Sequence, residues 1–158
     1  MALAPDPDRD LLLERDVDVT PDLVWAAWTQ PEHLKRWFAP LPYTTPECEI
    51  DLRPGGLFRT VMRSPEGETF DNVGCYLAVV ENERLVFTSV LGPSYRPSGE
   101  TDLPFTAVIT LEPTGSGTRY SALAMHGTPE VAKRHDEMGF HEGWGIALDQ
   151  LVAVAKEL

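Results

Sequence analysis

Glu137 and His141 are the two side chains of this sequence whose types and spacing best suit proton chemistry. Four residues apart on a helix they share a face, so the carboxylate can orient or charge the imidazole. Gly145 follows one turn later and leaves open space beside the ring. The arrangement suits a pocket base or a hydrogen-bond donor. It equally suits a histidine that bridges helix and sheet, or one at a solvent-facing rim. Other chemistries are poorly served. His135 precedes His141 by six residues, about 240° round a helix, so the two cannot share a metal ion. No HExxH spacing occurs, and His33 and His126 belong to other elements, so no metal site is expected. There is no G-x-S-x-G elbow, and neither Cys48 nor Cys75 has a histidine placed by sequence. The glycines at 55–56 and 115–117 join strand to strand, with no helix N-terminus behind them to hold a phosphate. No cofactor is expected.

Binding is better served than catalysis. Arg15 lies on the apolar face of the first strand pattern, and Arg59 and Arg63 alternate with Phe58, Thr60 and Met62. An inward arginine would grip a ligand carboxylate bidentately, whereas on the solvated face it is only a surface charge. Asn72 and Tyr76 share parity with Phe70 and Gly74, and Tyr120, Ala122, Ala124 and His126 share parity on the last strand. The small alanines would leave volume beneath a covering helix. The candidate ligand-binding set is therefore Met62, Tyr76, Phe87 and Tyr120 from strands, with Met138, His141, Trp144 and Gly145 from the closing helix. Tyr43 and Tyr95 sit in proline-rich loops that serve either as lids or as plain connections.

These residues need elements to position them. Leu11–Val19 alternates as a strand. Two short helices follow, at 21–28 and 31–38, each with proline in its first turn (Pro21, Pro31) and Thr20 as cap of the first. Val24, Trp25 and Trp28 form one stripe; Leu34, Trp37 and Phe38 form the other. Helices of this length do not persist alone, so both must cover a sheet. Strand patterns at 47–53, 57–63, 70–80, 84–91, 105–111 and 118–126 are separated by turns, notably Gly55-Gly56, Gly67 and Gly115-Ser116-Gly117. Thr128 and Pro129 open one long helix running to about Lys156, with Gly139, Gly143 and Gly145 weakening its first half. The expected class is α+β: β-α-α-β6-α, a curved antiparallel sheet of about seven strands wrapped round a long C-terminal helix. All four tryptophans (Trp25, Trp28, Trp37, Trp144) are expected to be largely buried.

The 158 residues suit one domain, 11–158, behind a disordered tail at 1–10. Net charge is −12 and the sequence pI about 4.6, which opposes binding to nucleic acid or to anionic membranes. No signal sequence or membrane-length apolar run is visible, and two cysteines are too few for a disulfide framework; a cytoplasmic location is expected. Ile146 and Val154, read as exposed near Gly139 and Gly143, offer a contact for a possible homodimer.

The element order resembles the helix-grip fold of the START and birch-pollen-allergen-like (SRPBCC) superfamily. Narrower blocks carry a closer resemblance. Residues 24–38, Val-Trp-Ala-Ala-Trp-Thr-Gln-Pro-Glu-His-Leu-Lys-Arg-Trp-Phe, look like the signature of the activator-of-Hsp90-ATPase-like family. Asp51-Leu52-Arg53-Pro54-Gly55-Gly56, Arg84–Thr88, Gly117-Thr118-Arg119 and Gly143-Trp144 with Leu148 and Leu151 match later blocks. The resemblance implies a hydrophobic or amphipathic small molecule as partner, held without catalysis between sheet and long helix. Two other readings stay open: a cyclase, dehydratase or hydrolase using His141 as acid/base, and a protein-interaction module that regulates a chaperone.

Overall fold

A computed structural model describes residues 3–158. Its main sheet has seven antiparallel strands in the spatial order β1-β9-β8-β5-β4-β3-β2. In chain order these are β1 (Asp10–Val17), β2 (Thr44–Ile50), β3 (Leu57–Arg63), β4 (Thr69–Val80), β5 (Arg84–Thr88), then, after a small separate hairpin of β6 (Leu91–Gly92) and β7 (Arg96–Pro97), β8 (Thr106–Pro113) and β9 (Thr118–Met125). The helices are α1 (Pro21–Thr29), α2 (Pro31–Leu34), α3 (Pro129–Glu137) and α4 (Phe140–Ala155). The seven-stranded α+β helix-grip architecture read from the sequence is the architecture observed. Among the described residues no helix is long and apolar enough to cross a membrane.

Period-2 alternation assigns the two faces of the sheet. Phe58, Tyr76, Leu85, Phe87, Ile109, Tyr120 and Ala122 join Trp25, Trp28, Trp37, Leu148 and Leu151 in one buried core. That face is the one the helices cover. The opposite face carries ion pairs, with Arg59 held between Asp71 and Glu49 and Arg119 beside Glu14 and Asp16. Arg59 therefore points away from any interior ligand.

The closing helix is two helices. Met138 ends α3, and Gly139 takes φ 91°, a left-handed conformation that breaks the hydrogen-bond ladder and that only glycine enters cheaply. The apolar stripe continues past this break, so a single helix from 129 to 156 fits the sequence pattern while the backbone does not follow it. Capping differs between the helices. The Thr128 hydroxyl accepts from the Val131 N–H, as expected, but the Thr20 hydroxyl bonds Asp22 and leaves the α1 end uncapped. Gln150 ties the segment after α2 to α4: its amide donates to the Trp37 and Ala39 carbonyls and its carbonyl oxygen accepts from the Leu41 N–H. Trp25, Trp28 and Trp37 are buried, and Trp144 is only half-buried. Val154, read as exposed, is buried because it faces the sheet, so it cannot form a dimer contact; Ile146 remains exposed.

Candidate functional site

The proposed residues separate into three places. Glu137, Met138 and His141 lie at the surface around the α3–α4 break, Met138 with 67% of its area exposed. Glu137 faces Lys133 at 4.0 Å, and among the described residues His141 has no hydrogen-bond partner. The break turns these side chains outward, so they do not line an interior cavity, and the Glu137–His141 pair the spacing suggested is not formed. Gly145 is buried, but the space beside it belongs to Arg15: a Cβ there would lie 3.1 Å from the Arg15 guanidinium. Arg15 in turn pairs with Asp149 at 2.6 Å, so it is not a free anchor for a carboxylate. These groups edge an open groove of about 270 Å³ between β1 and α4, lined by Arg15, Asp16, Val17, Asp18, Asp149 and Val152. Tyr95, one of the two loop tyrosines, packs its ring against Gly55.

Where a cavity was expected, beneath α3 and the start of α4, aromatic and histidine side chains fill the space. Phe140 and Trp144 stand 4.7 Å apart between ring centroids, and Phe105 lies 5.1 Å from His135. His126 and His135 are both buried, with Nε2 and Nδ1 at 2.8 Å. The His126 Nδ1 faces the Arg9 carbonyl at 2.7 Å, and a carbonyl can only accept, so Nδ1 carries the proton. When Nδ1 alone carries a proton, His126 Nε2 accepts from His135 Nδ1. The pair joins the end of β9, α3 and the segment before β1. It was missed in the sequence because the turn at Gly127-Thr128 folds positions 126 and 135 together, a juxtaposition no helical or strand period shows.

Burial, then the neighbouring His126, push the His135 imidazole down to about 4, against a weak opposing pull from Asp136. The unfolded chain protonates near 6.5, so it takes up a proton that the native state refuses until about pH 4. The stabilising contribution is complete above about pH 6.5 and is lost as pH falls towards 4. Urea midpoints should decline over that window by roughly 3 kcal/mol in total, and His135→Phe should flatten the decline. An equal decline in the variant would place the effect elsewhere.

The third place gathers the strand residues. Cross-strand partners share a face, so the register sets out three rows on the helix-covered side of the β2–β3–β4 wing: Ile50, Phe58 and Gly74; Cys48, Thr60 and Asn72; then Met62 and Phe70, with Thr45 in the bulge opposite Met62. The first row is roofed: Phe38 meets Phe58 edge-on at 5.8 Å, and Tyr76 stacks on Phe58 at 5.1 Å. The helices pack on β1, β8 and β2, and towards the last row the cover fails; Phe70 is 42% exposed and Met62 half-buried.

Among the described residues two buried hydroxyls on this wing lack a hydrogen-bond partner, Thr45 Oγ1 and Tyr76 Oη. Tyr76 is fully buried. Burial raises its phenol, which stays protonated, and pushes the Cys48 thiol up to about 11, so Cys48 is a neutral thiol and not a nucleophile. Tyr120, by contrast, has a partner: it accepts from Trp28 Nε1 at 3.2 Å. An unpaired buried hydroxyl costs about 1–3 kcal/mol. Tyr76→Phe should therefore raise the stability of the ligand-free protein by about 1 kcal/mol, read from urea midpoints; a loss of that size would mean the hydroxyl has a partner after all.

Comparison with known proteins places this geometry in context. A family model described as Activator of Hsp90 ATPase homolog 1-like protein matches residues 18–156. A crystal structure of a Nitrosomonas europaea protein shares 51% identity, each chain covering 97% of the other, with a TM-score of 0.93. A Mycobacterium smegmatis protein shares 25% identity over 93% of this chain and 90% of its own, with a TM-score of 0.78. A Rhodobacter sphaeroides protein at 24% identity, covering 98% and 97%, shares the fold with a TM-score of 0.83. No curated protein was found to match. Because the matched region runs from the end of β1 to the end of α4 and contains the tryptophan-bearing helices, the hairpin at Gly55-Gly56 and the whole wing, the chain belongs to the Activator of Hsp90 ATPase homolog 1-like family.

Proposed function

We propose that this domain binds a small apolar or amphipathic molecule, without transforming it, on the helix-covered face of the β2–β3–β4 wing. The family fold supports a ligand-binding domain in general terms. One observation carries the finer reading: the Met62–Phe70 row, which the helices leave uncovered, has the buried and unpaired Thr45 hydroxyl in the bulge opposite it. Folded proteins rarely bury a polar atom without a partner, and a molecule bound over this row would give the hydroxyl one while covering Phe70. Met62 from the sequence-derived set belongs to this site, while Tyr76, Phe87 and Tyr120 lie deeper in the core. Met62 is unbranched and Phe38 half-buried, so both can shift to admit a ligand. His141, exposed and unpartnered, gives the catalytic reading no support.

Native mass spectrometry of protein purified without detergent, followed by fluorescence titration with the neutral probe N-phenylnaphthylamine, tests this. A co-purified small molecule, or saturable binding of one probe per chain that Met62→Trp blocks, is the expected result. Absence of both would contradict it.

A further inference from the structure

We infer that α3 is a pH-sensitive flap, held shut by the His126–His135 pair and released between Gly127 and Gly139 when that pair takes up a proton, while the sheet and α4 stay folded. Little else fastens this helix. Of its nine residues only Ala132 and His135 are buried. Lys133 faces Glu137 within the helix itself, and Arg134 reaches only the carbonyl of the exposed Asp102. Both ends of α3 are bounded by glycine. No atom lies within 4 Å of an added Cβ at Gly127 or Gly139, so neither joint is packed against the body, and glycine turns without a Cβ clash.

An added proton breaks the geometry of the pair. His126 Nε2 and His135 Nδ1 stand 2.8 Å apart with one proton between them, and His126 Nδ1 faces the Arg9 carbonyl. A further proton has two places to go. On His126 Nε2 it sets two donors face to face, and the rings must part. On His135 Nε2 it puts a cation among Phe105, Phe140 and Trp144, whose ring centroids lie 5.1, 5.2 and 6.1 Å away. A buried cation without a counter-ion is costly. The surrounding charges do not supply one. Asp136, on α3 itself, favours the cation but does not offset burial. In the segment before β1, Asp6 is engaged by Arg9, while Asp8 and Asp10 edge a groove of about 170 Å³ shared with Lys133 and Asp136. From α4 the next titratable group is His141, whose ring is 5.0 Å from that of Phe140 and which brings no negative charge. Closed, His135 refuses a proton until about pH 4; open to water it takes one near 6.5. Over that window each pH unit of acidification shifts the balance towards the open form about tenfold. Opening uncovers Phe105, Phe140 and Trp144, an aromatic surface that α3 shields at neutral pH.

Amide hydrogen exchange of the full chain, followed residue by residue by NMR from pH 7.5 to 4.5 and expressed as protection factors, tests this. Amides 132–138 should exchange through an opening that leaves β8, β9 and the later turns of α4 closed, with protection about 100-fold below that of those elements. Below pH 6.5 their protection should fall about tenfold per unit. His135→Phe, which keeps the ring and removes the titrating nitrogens, should abolish that pH dependence in α3. His126→Asn, whose amide still serves the Arg9 carbonyl, should lower α3 protection severalfold already at pH 7.5, because the Nε2 acceptor is gone. Amides of α3 as protected as those of β8 and β9 at pH 5 would mean that the helix leaves only with the whole fold, and would overturn the flap. So would α3 protection in wild type that stays constant from pH 7.5 to 4.5, or a His135→Phe variant with the wild-type pH dependence.

Discussion

Replacing Gly56 by alanine is expected to abolish cooperative folding. A Cβ at this position would lie 1.9 Å from the Asp51 carbonyl oxygen and 2.9 Å from that of Arg53, and both are backbone atoms that cannot swing aside. The same short loop is fixed on every side. The Asp51 N–H bonds the Leu57 carbonyl at 2.8 Å, the Gly55 N–H bonds the Tyr76 carbonyl at 2.8 Å, and the Tyr76 N–H returns to the Gly56 carbonyl at 3.0 Å. Relief of the clash must therefore break the seam between β2, β3 and β4. A loss above about 4 kcal/mol is a large fraction of the stability of a domain this size. Gly115→Ala is the matched control, since nothing lies within 4 Å of its added Cβ. Circular dichroism melts should show no native transition for Gly56→Ala and an unchanged one for Gly115→Ala. A Gly56→Ala protein within about 1 kcal/mol of wild type would refute the loop geometry.

Trp28→Ala should cost about 3–5 kcal/mol, the range for truncating a well-packed core tryptophan. Trp28 is the hub of the aromatic core, with ring centroids 4.7 Å from Trp37, 5.7 Å from Phe87 and 6.0 Å from Phe38. Its indole also donates to the Tyr120 hydroxyl, joining α1 to β9 across the core. Truncation leaves a cavity and removes the Tyr120 partner at once. Trp144→Ala should cost clearly less, because Trp144 is only half-buried among Phe105, His135 and Phe140. Urea unfolding of both variants measures the difference, and equal losses would contradict the assigned core.

Much of the fold was legible because hairpins and alternation are local. Gly55-Gly56 and Gly67 mark turns by backbone freedom, and parity aligns the side chains within each strand, but which face the helices cover is set by cross-strand register and packing. What failed was non-local or interrupted. The stripe through Met138, His141 and Trp144 continues across Gly139, yet the positive φ of that one residue turns Met138 and His141 to solvent. The volume assigned to Gly145 is occupied by Arg15, a residue 130 positions away whose reach no period reveals. The His126–His135 pair depends on how β9 turns into α3. Parity aligned Tyr76 with Asn72, but that its buried hydroxyl stands unpaired is a property of packing across strands.

The most direct test of the wing as the binding site is a backbone amide NMR titration of the full chain with N-phenylnaphthylamine. The shifting amides should cluster at Cys48, Thr60, Met62, Phe70 and Asn72, with the β1–α4 groove around Arg15 and Asp149 silent. Shifts centred on that groove, or shifts spread without a cluster, would contradict it.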